Sequence, residues 1–147
     1  MRYIPIPILL VLVSCVVTVN DAPRHAPATE LTLDVEVEPL TITWGNSLRI
    51  VLTVANKNNK TVTKHFSSGC IYGYSLRTRN GEVVAPPPPI CTMNAPTVTY
   101  QPGELVTKVF LWVWDDPSIE PGTYILFAGF GPRGDGKSSP SVEVRLK

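Results

Sequence analysis

Between residues 31 and 147, apolar side chains recur at every second position in one short run after another, and turn residues separate the runs. A period of two is the signature of a strand with one buried face, and it is incompatible with an amphipathic helix. Leu31, Leu33, Val35 and Val37 face one way, against Thr32, Asp34 and Glu36, until Glu38-Pro39 ends the run. Leu48, Ile50, Leu52 and Val54 repeat the pattern against Arg49 and Thr53. Asn56-Lys57-Asn58-Asn59-Lys60 reads as a polar turn, followed by a strand carrying Val62, Lys64 and Phe66. Cys70, Tyr72, Tyr74 and Leu76 line one face of the next, with Ser75, Arg77 and Arg79 opposite.

Asn80-Gly81 predicts a tight hairpin in which both turn residues take positive φ, and Glu82-Val83-Val84 begins the return strand. Pro86-Pro87-Pro88-Pro89 cannot donate to a sheet and predicts a stiff polyproline crossing. A short strand near Val98–Tyr100 ends at the turn Gln101-Pro102-Gly103-Glu104. Residues 105–114 are so uniformly apolar that they predict a central strand, with Phe110, Trp112 and Trp114 on one side. After Pro121-Gly122, Thr123 to Phe130 forms a further strand, with Tyr124 placed for a tyrosine corner. Gly131 to Pro140 reads as a flexible loop, and Val142, Val144 and Leu146 face inward on the closing strand. Seven to nine short strands and no amphipathic helix predict an all-β fold, an antiparallel immunoglobulin-like β-sandwich.

The first thirty residues follow other rules. Ile4 to Val13 is apolar apart from Pro5 and Pro7, and Leu12-Val13-Ser14-Cys15 fits a bacterial lipobox. On that reading residues 1–14 are a lipoprotein signal peptide and Cys15 takes the lipid. Residues 15–30, with Pro23 and Pro27, serve as a tether, and residues 31–147 form one domain. The protein then sits in the bacterial cell envelope, held to the membrane by its lipid. The competing readings are ordinary signal cleavage before Ala28, which gives a secreted protein, and an uncleaved anchor. An exported chain leaves Cys70 and Cys91 as an even pair in an oxidising compartment, which favours a disulfide; the alternative is two separate thiols.

The chemistry of the known catalytic motifs is missing. With 13 Lys+Arg against 12 Asp+Glu the chain has no basic excess to argue for nucleic acid. The two histidines are His25, in the tether, and His65, which reads as a solvent-facing strand residue. No GxSxG, HExxH or P-loop occurs, so the reading is of a protein that is not an enzyme and uses no cofactor. A zinc site at Cys70, Cys91 and His65 lacks a fourth ligand, and Asp115, Asp116 and Glu120 read as solvated turn carboxylates rather than a calcium site. Arg133-Gly134-Asp135 is explained by turn composition.

The stretch from Leu48 to about Phe130 resembles the intracellular proteinase inhibitor family, the BsuPI-type domain. Leu52-Thr53-Val54-Ala55-Asn56 followed by Phe66-Ser67-Ser68-Gly69 carries the first part of the match. Tyr72 with Leu76 and Gly81 carries the second. Pro102-Gly103-Glu104, Trp114-Asp115 and Pro121-Gly122-Thr123-Tyr124 carry the third. The resemblance implies an immunoglobulin-like sandwich and a protein partner, with a protease among the candidates. Two functional readings follow. In one, the segment 85–96 is a rigid contact loop, with Pro86, Pro87, Pro88, Pro89, Ile90, Thr92 and Met93 meeting the partner. In the other, the sandwich is an envelope structural or interaction module without inhibitory activity. An ordered, protruding 85–96 segment favours the first, and an exposed aromatic sheet face the second.

Overall fold

The computed structural model describes residues 31–86, 89–136 and 139–147. The expected signal peptide (residues 1–14), Cys15 with the expected tether to residue 30, and Pro87 and Pro88 lie outside the described residues.

The described chain is all β, with ten strands: β1 Thr32–Glu38, β2 Thr41–Ile42, β3 Ser47–Ala55, β4 Val62–His65, β5 Tyr72–Arg77, β6 Val83–Ala85, β7 Thr97–Tyr100, β8 Leu105–Val113, β9 Gly122–Phe130 and β10 Ser141–Leu146. One sheet has the order β1-β3-β8, the facing sheet β2-β10-β9-β5-β6, and β4 and β7 form a two-stranded ribbon. This is the immunoglobulin-like sandwich that the alternation predicts. The count exceeds seven to nine because Thr41–Ile42, too short to show a period, adds a strand beside Arg145–Leu146. That pairing is parallel, and every other ladder is antiparallel.

The core lies between the two larger sheets. Leu31, Val35, Val37, Leu48, Ile50, Leu52 and Val54 fill it from one side; Leu76, Leu126, Ala128, Val144 and Leu146 fill it from the other. These are the inward positions of the alternating runs, and removing such faces from water is the main force that holds two sheets together. Tyr124 is buried, and its hydroxyl donates to the Glu120 carbonyl at 2.7 Å, closing the predicted tyrosine corner.

Three local expectations change. The 78–82 hairpin has positive φ at Gly81 (88°) and at no non-glycine residue, so Asn80-Gly81 is not a two-residue turn. Thr78 and Glu82 close the loop, the Gly81 amide donates to the Thr78 carbonyl, and Gly81 supplies the left-handed residue of a three-residue hairpin. The run 105–114 does alternate, and β8 is an edge strand, not a central one. The two polar residues of the run, Thr107 and Lys108, fall on opposite rows, so neither row is marked as the solvent face. Residues 131–136, expected to be part of a flexible loop, fold back over the outer face of β5 and β9. A Cβ at Gly73 would lie 2.5 Å from the Gly131 carbonyl oxygen, and one at Gly134, where φ is +57°, would lie 2.5 Å from the Gly129 nitrogen. Backbone packs on backbone here, and only glycine permits the approach.

Asn56, read as a turn residue, is fully buried. Its backbone amide donates to the Glu104 carbonyl, and its carbonyl accepts from the Gly103 amide. Its Nδ2 donates to the Lys60 and Tyr100 carbonyls, both at 2.9 Å, while Oδ1 accepts from the Asn58 amide and Nδ2. One side chain therefore joins the β3–β8 ladder to the β4–β7 ribbon, with both its donors and its acceptor engaged.

A candidate protein-binding loop

The segment after β6 leaves the sheet at a cis Ala85–Pro86 bond. It is then fastened at three points. Cys91 forms a disulfide with Cys70, with Cα atoms 5.3 Å apart. The Gly69 amide donates to the Thr92 carbonyl at 3.0 Å, and the Phe66 amide donates to the Pro96 carbonyl at 3.0 Å. Gly69 has no room for a side chain, because a Cβ there would overlap the Thr92 hydroxyl. Of the predicted contact residues, Pro86 is half-buried and Pro89, Ile90, Thr92 and Met93 are exposed. Ile90 and Met93 stand at 103% and 98% relative exposure. They lie on either side of Cys91, so two large apolar side chains project from an anchored backbone.

The loop is rooted in an aromatic cluster that sequence reasoning does not identify. Phe130 packs against Phe66 at 5.6 Å and Tyr72 at 5.8 Å between ring centroids, with the edge of Tyr100 at 6.4 Å. The Lys64 ammonium lies 4.7 Å from the Phe130 ring centre, and Lys108 covers Tyr72. Each of these aromatics is legible as a strand residue; their meeting depends on β5, β7, β9 and the end of β4 converging at one end of the sandwich. The Tyr72 and Tyr100 hydroxyls bond each other at 2.8 Å.

Burial, reinforced by the Tyr72 hydrogen bond, pushes the Tyr100 phenol well above its usual value; burial also raises Tyr74 and Tyr124. The sign for stability follows. Above about pH 10 the unfolded chain releases phenolic protons that the native state keeps, so the native state binds more protons and stability falls as pH rises. We expect a urea midpoint that is steady through neutral pH and declines from about pH 10 upward. The decline should be shallower in Tyr100→Phe.

Reduction has a separate effect. The two cysteines are 21 positions apart. In the chain-entropy treatment, a loop of that size stabilises by roughly 3 kcal/mol. Cys70→Ser combined with Cys91→Ser is therefore expected to lower the unfolding free energy by about 3 kcal/mol in urea titrations. The core sheets should keep their far-ultraviolet spectrum.

The remaining candidates are accounted for locally. His65 is exposed, with Nδ1 2.8 Å from the Thr97 hydroxyl. The Ser118 hydroxyl and amide both donate to the Asp116 carboxylate and hold its carboxyl below the usual range. Asp135 of the Arg-Gly-Asp tripeptide pairs with Arg77, whose guanidinium also covers Phe127, so the carboxylate is engaged by its own sheet. Among the described residues, no group of three or more His, Cys, Asp or Glu side chains is placed to hold a metal ion.

No family model matches the chain, and no curated protein sequence matches it. Solved structures do. The alkylpurine DNA glycosylase AlkC of Pseudomonas fluorescens, bound to DNA containing an abasic site analog, superposes with a TM-score of 0.52 and 14% identity. A β-glucosidase from Erythrobacter marinus superposes with a TM-score of 0.50 and 19% identity. Each match covers 81% of this chain, but only 31% of the first protein and 16% of the second. A CARDB domain from Pyrococcus furiosus, in complex with di-metal ions, has a TM-score of 0.46 and 14% identity, covering 80% of this chain and 88% of that one. At such identities the likeness speaks for the fold alone: a small sandwich that also occurs as a minor part of much larger proteins.

Proposed function

We propose that this chain is a non-enzymatic protein-binding module of the bacterial envelope, lipid-anchored through Cys15, that presents the segment 89–96 to a protein partner as a proteinase inhibitor does. The observation that carries the reading is the pair Ile90 and Met93, fully exposed on a backbone tied down by a disulfide and two hydrogen bonds. Large apolar side chains left in water gain surface burial when a partner closes over them. A pre-ordered backbone reduces the entropy lost on binding. The resemblance of residues 48–130 to the BsuPI-type inhibitors supports a protease as that partner.

The test is inhibition of a panel of serine, cysteine and metalloproteases by the full chain, with Ile90→Asp and Met93→Asp alongside. Exposed positions of this kind tolerate substitution, so both variants should keep the native circular dichroism spectrum. We expect saturable inhibition of one protease class, weakened roughly tenfold or more in each variant, as for anchor residues at interface centres. A flat response across the panel from folded protein would remove inhibition and leave an envelope interaction module.

A further inference from the structure

Strand β8 ends the sheet β1-β3-β8, and among the described residues no other strand pairs with its outer side. The Trp114 amide and the Glu104 carbonyl both bond toward β3. Backbone groups alternate sides along a strand, so the N–H and C=O groups of Leu105, Thr107, Val109, Leu111 and Val113 point to the free edge. Those same residues form the outward-facing row of side chains, with Leu105 and Leu111 each 68% exposed, Val109 53% and Val113 43%. Proteins usually guard such an edge with charge, proline or a bulge. Here β1, at the opposite edge, has that protection: its outward row is Thr32, Asp34, Glu36 and Glu38. On β8 the one charged residue, Lys108, is folded over the chain's own Tyr72 ring.

We infer that β8 is the interface of a homodimer, pairing antiparallel with β8 of a second copy about a two-fold axis at Val109. The charge pattern selects this arrangement from the three edge pairings open to the sheet. Pairing β1 with β1 would set Asp34 opposite Glu36, carboxylate against carboxylate. Pairing β1 with β8 would set carboxylates against Leu and Val, and being head-to-tail it would not close. Pairing β8 with β8 sets Leu105 opposite Val113, Thr107 opposite Leu111, and Val109 opposite itself. Every outward pair is then apolar or contains Thr, and Lys108 falls opposite Phe110. The row is self-complementary, as an isologous interface requires. The product is a continuous six-stranded sheet whose apolar centre is flanked by its acidic margins.

Cysteine cross-linking of the full chain tests both the interface and its register. Val109→Cys should form a covalent dimer on mild oxidation, read by non-reducing electrophoresis, because the position meets itself on the axis. Thr107→Cys and Leu111→Cys should each dimerise poorly alone and cross-link when mixed. The unsubstituted chain and Asp34→Cys, on the guarded edge, should stay near background. In parallel, Val109→Lys places two ammonium groups on the axis and should shift the light-scattering mass from dimer to monomer with the circular dichroism spectrum unchanged. Equal yields from Val109→Cys and Asp34→Cys, or a monomeric mass for the unsubstituted chain, would overturn the inference. So would cross-linking of Val109→Cys to a different protein in place of itself.

Discussion

Asn56→Asp, a change of one atom type, is expected to destabilise the fold by about 3–5 kcal/mol. The substituted side chain keeps its volume and the two acceptor contacts to Asn58, but loses both N–H donors. The Tyr100 carbonyl, which is buried, and the Lys60 carbonyl then face a carboxylate oxygen in place of a donor. Each abandoned carbonyl costs on the order of 1–3 kcal/mol, and the buried charge adds to that. Asn59→Asp, on the exposed part of the same turn, should stay within about 0.5 kcal/mol of the unsubstituted chain, which isolates the burial effect. The loss should also depend on pH. Burial and two opposing carbonyls raise the introduced carboxyl above the ordinary carboxylate range. Within the window between those values the native state holds a proton that the unfolded chain has released, so the variant loses stability as pH rises and recovers part of it in acid. Urea titrations of the Asn56→Asp and unsubstituted chains at neutral and mildly acidic pH should therefore show a gap that narrows toward acid; a gap independent of pH would contradict the buried-charge account.

The other large effect is expected at the opposite end of β8. Trp114 is buried, its Nε1 donates to the Ile119 carbonyl at 3.0 Å, and the edge of Trp44 packs on it at 5.5 Å between centroids. It fixes the 115–121 turn and, through paired backbone bonds with Gly45 and Asn46, the 43–46 turn as well. Trp114→Ala leaves a cavity where the largest buried side chain stood, and an acceptor without its donor. The expected cost is about 3–5 kcal/mol. Trp114→Phe keeps most of the apolar contact but not the N–H, so its cost should be nearer about 1–2 kcal/mol, the value of the hydrogen bond. Thermal melts followed by near-ultraviolet circular dichroism would separate the two. Similar losses for Ala and Phe would mean that the indole N–H, and not the packing, is what matters.

These sites differ in how far the sequence discloses them. The alternating runs around Leu48–Val54 and Val142–Leu146 define their own buried faces, because polar residues at the intervening positions mark the solvent side. Trp114 has no such marks beside it, because Val109, Leu111 and Val113 are apolar too, and its burial is settled only by the turn at 115–121 that closes over it. Nor can Asn56 be read as core: polar residues cluster in turns, and whether one of five is buried depends on the β4–β7 ribbon, whose pairing partners are far apart in sequence. The same limit applies to Phe130, whose partners Phe66, Tyr72 and Tyr100 all lie far from it in the chain, and to Gly73, whose closeness to residues 131–134 is visible only once the chain has folded back. The edge position of β8 escapes a sequence reading because its outward row carries no charge. A residue pattern records what water or core a strand expects to meet; a strand that expects to meet another protein surface leaves the same record as one in the core.

The parallel pairing of β2 with β10 has a consequence for the order in which the protein can be assembled. In the larger sheet β10 lies between β2 and β9, so the sheet stays split until residues 141–146 have been synthesised. A nascent chain carrying everything before them holds β9 with one side unpaired, and Leu126 and Tyr124 lack the cover of Val144 and Leu146. Contacts of such long sequence separation also form slowly. Any chain in which residues 141–146 have not yet docked is thus expected to present an open apolar seam, a target for the chaperones that hold unfolded chains until the final strand closes it.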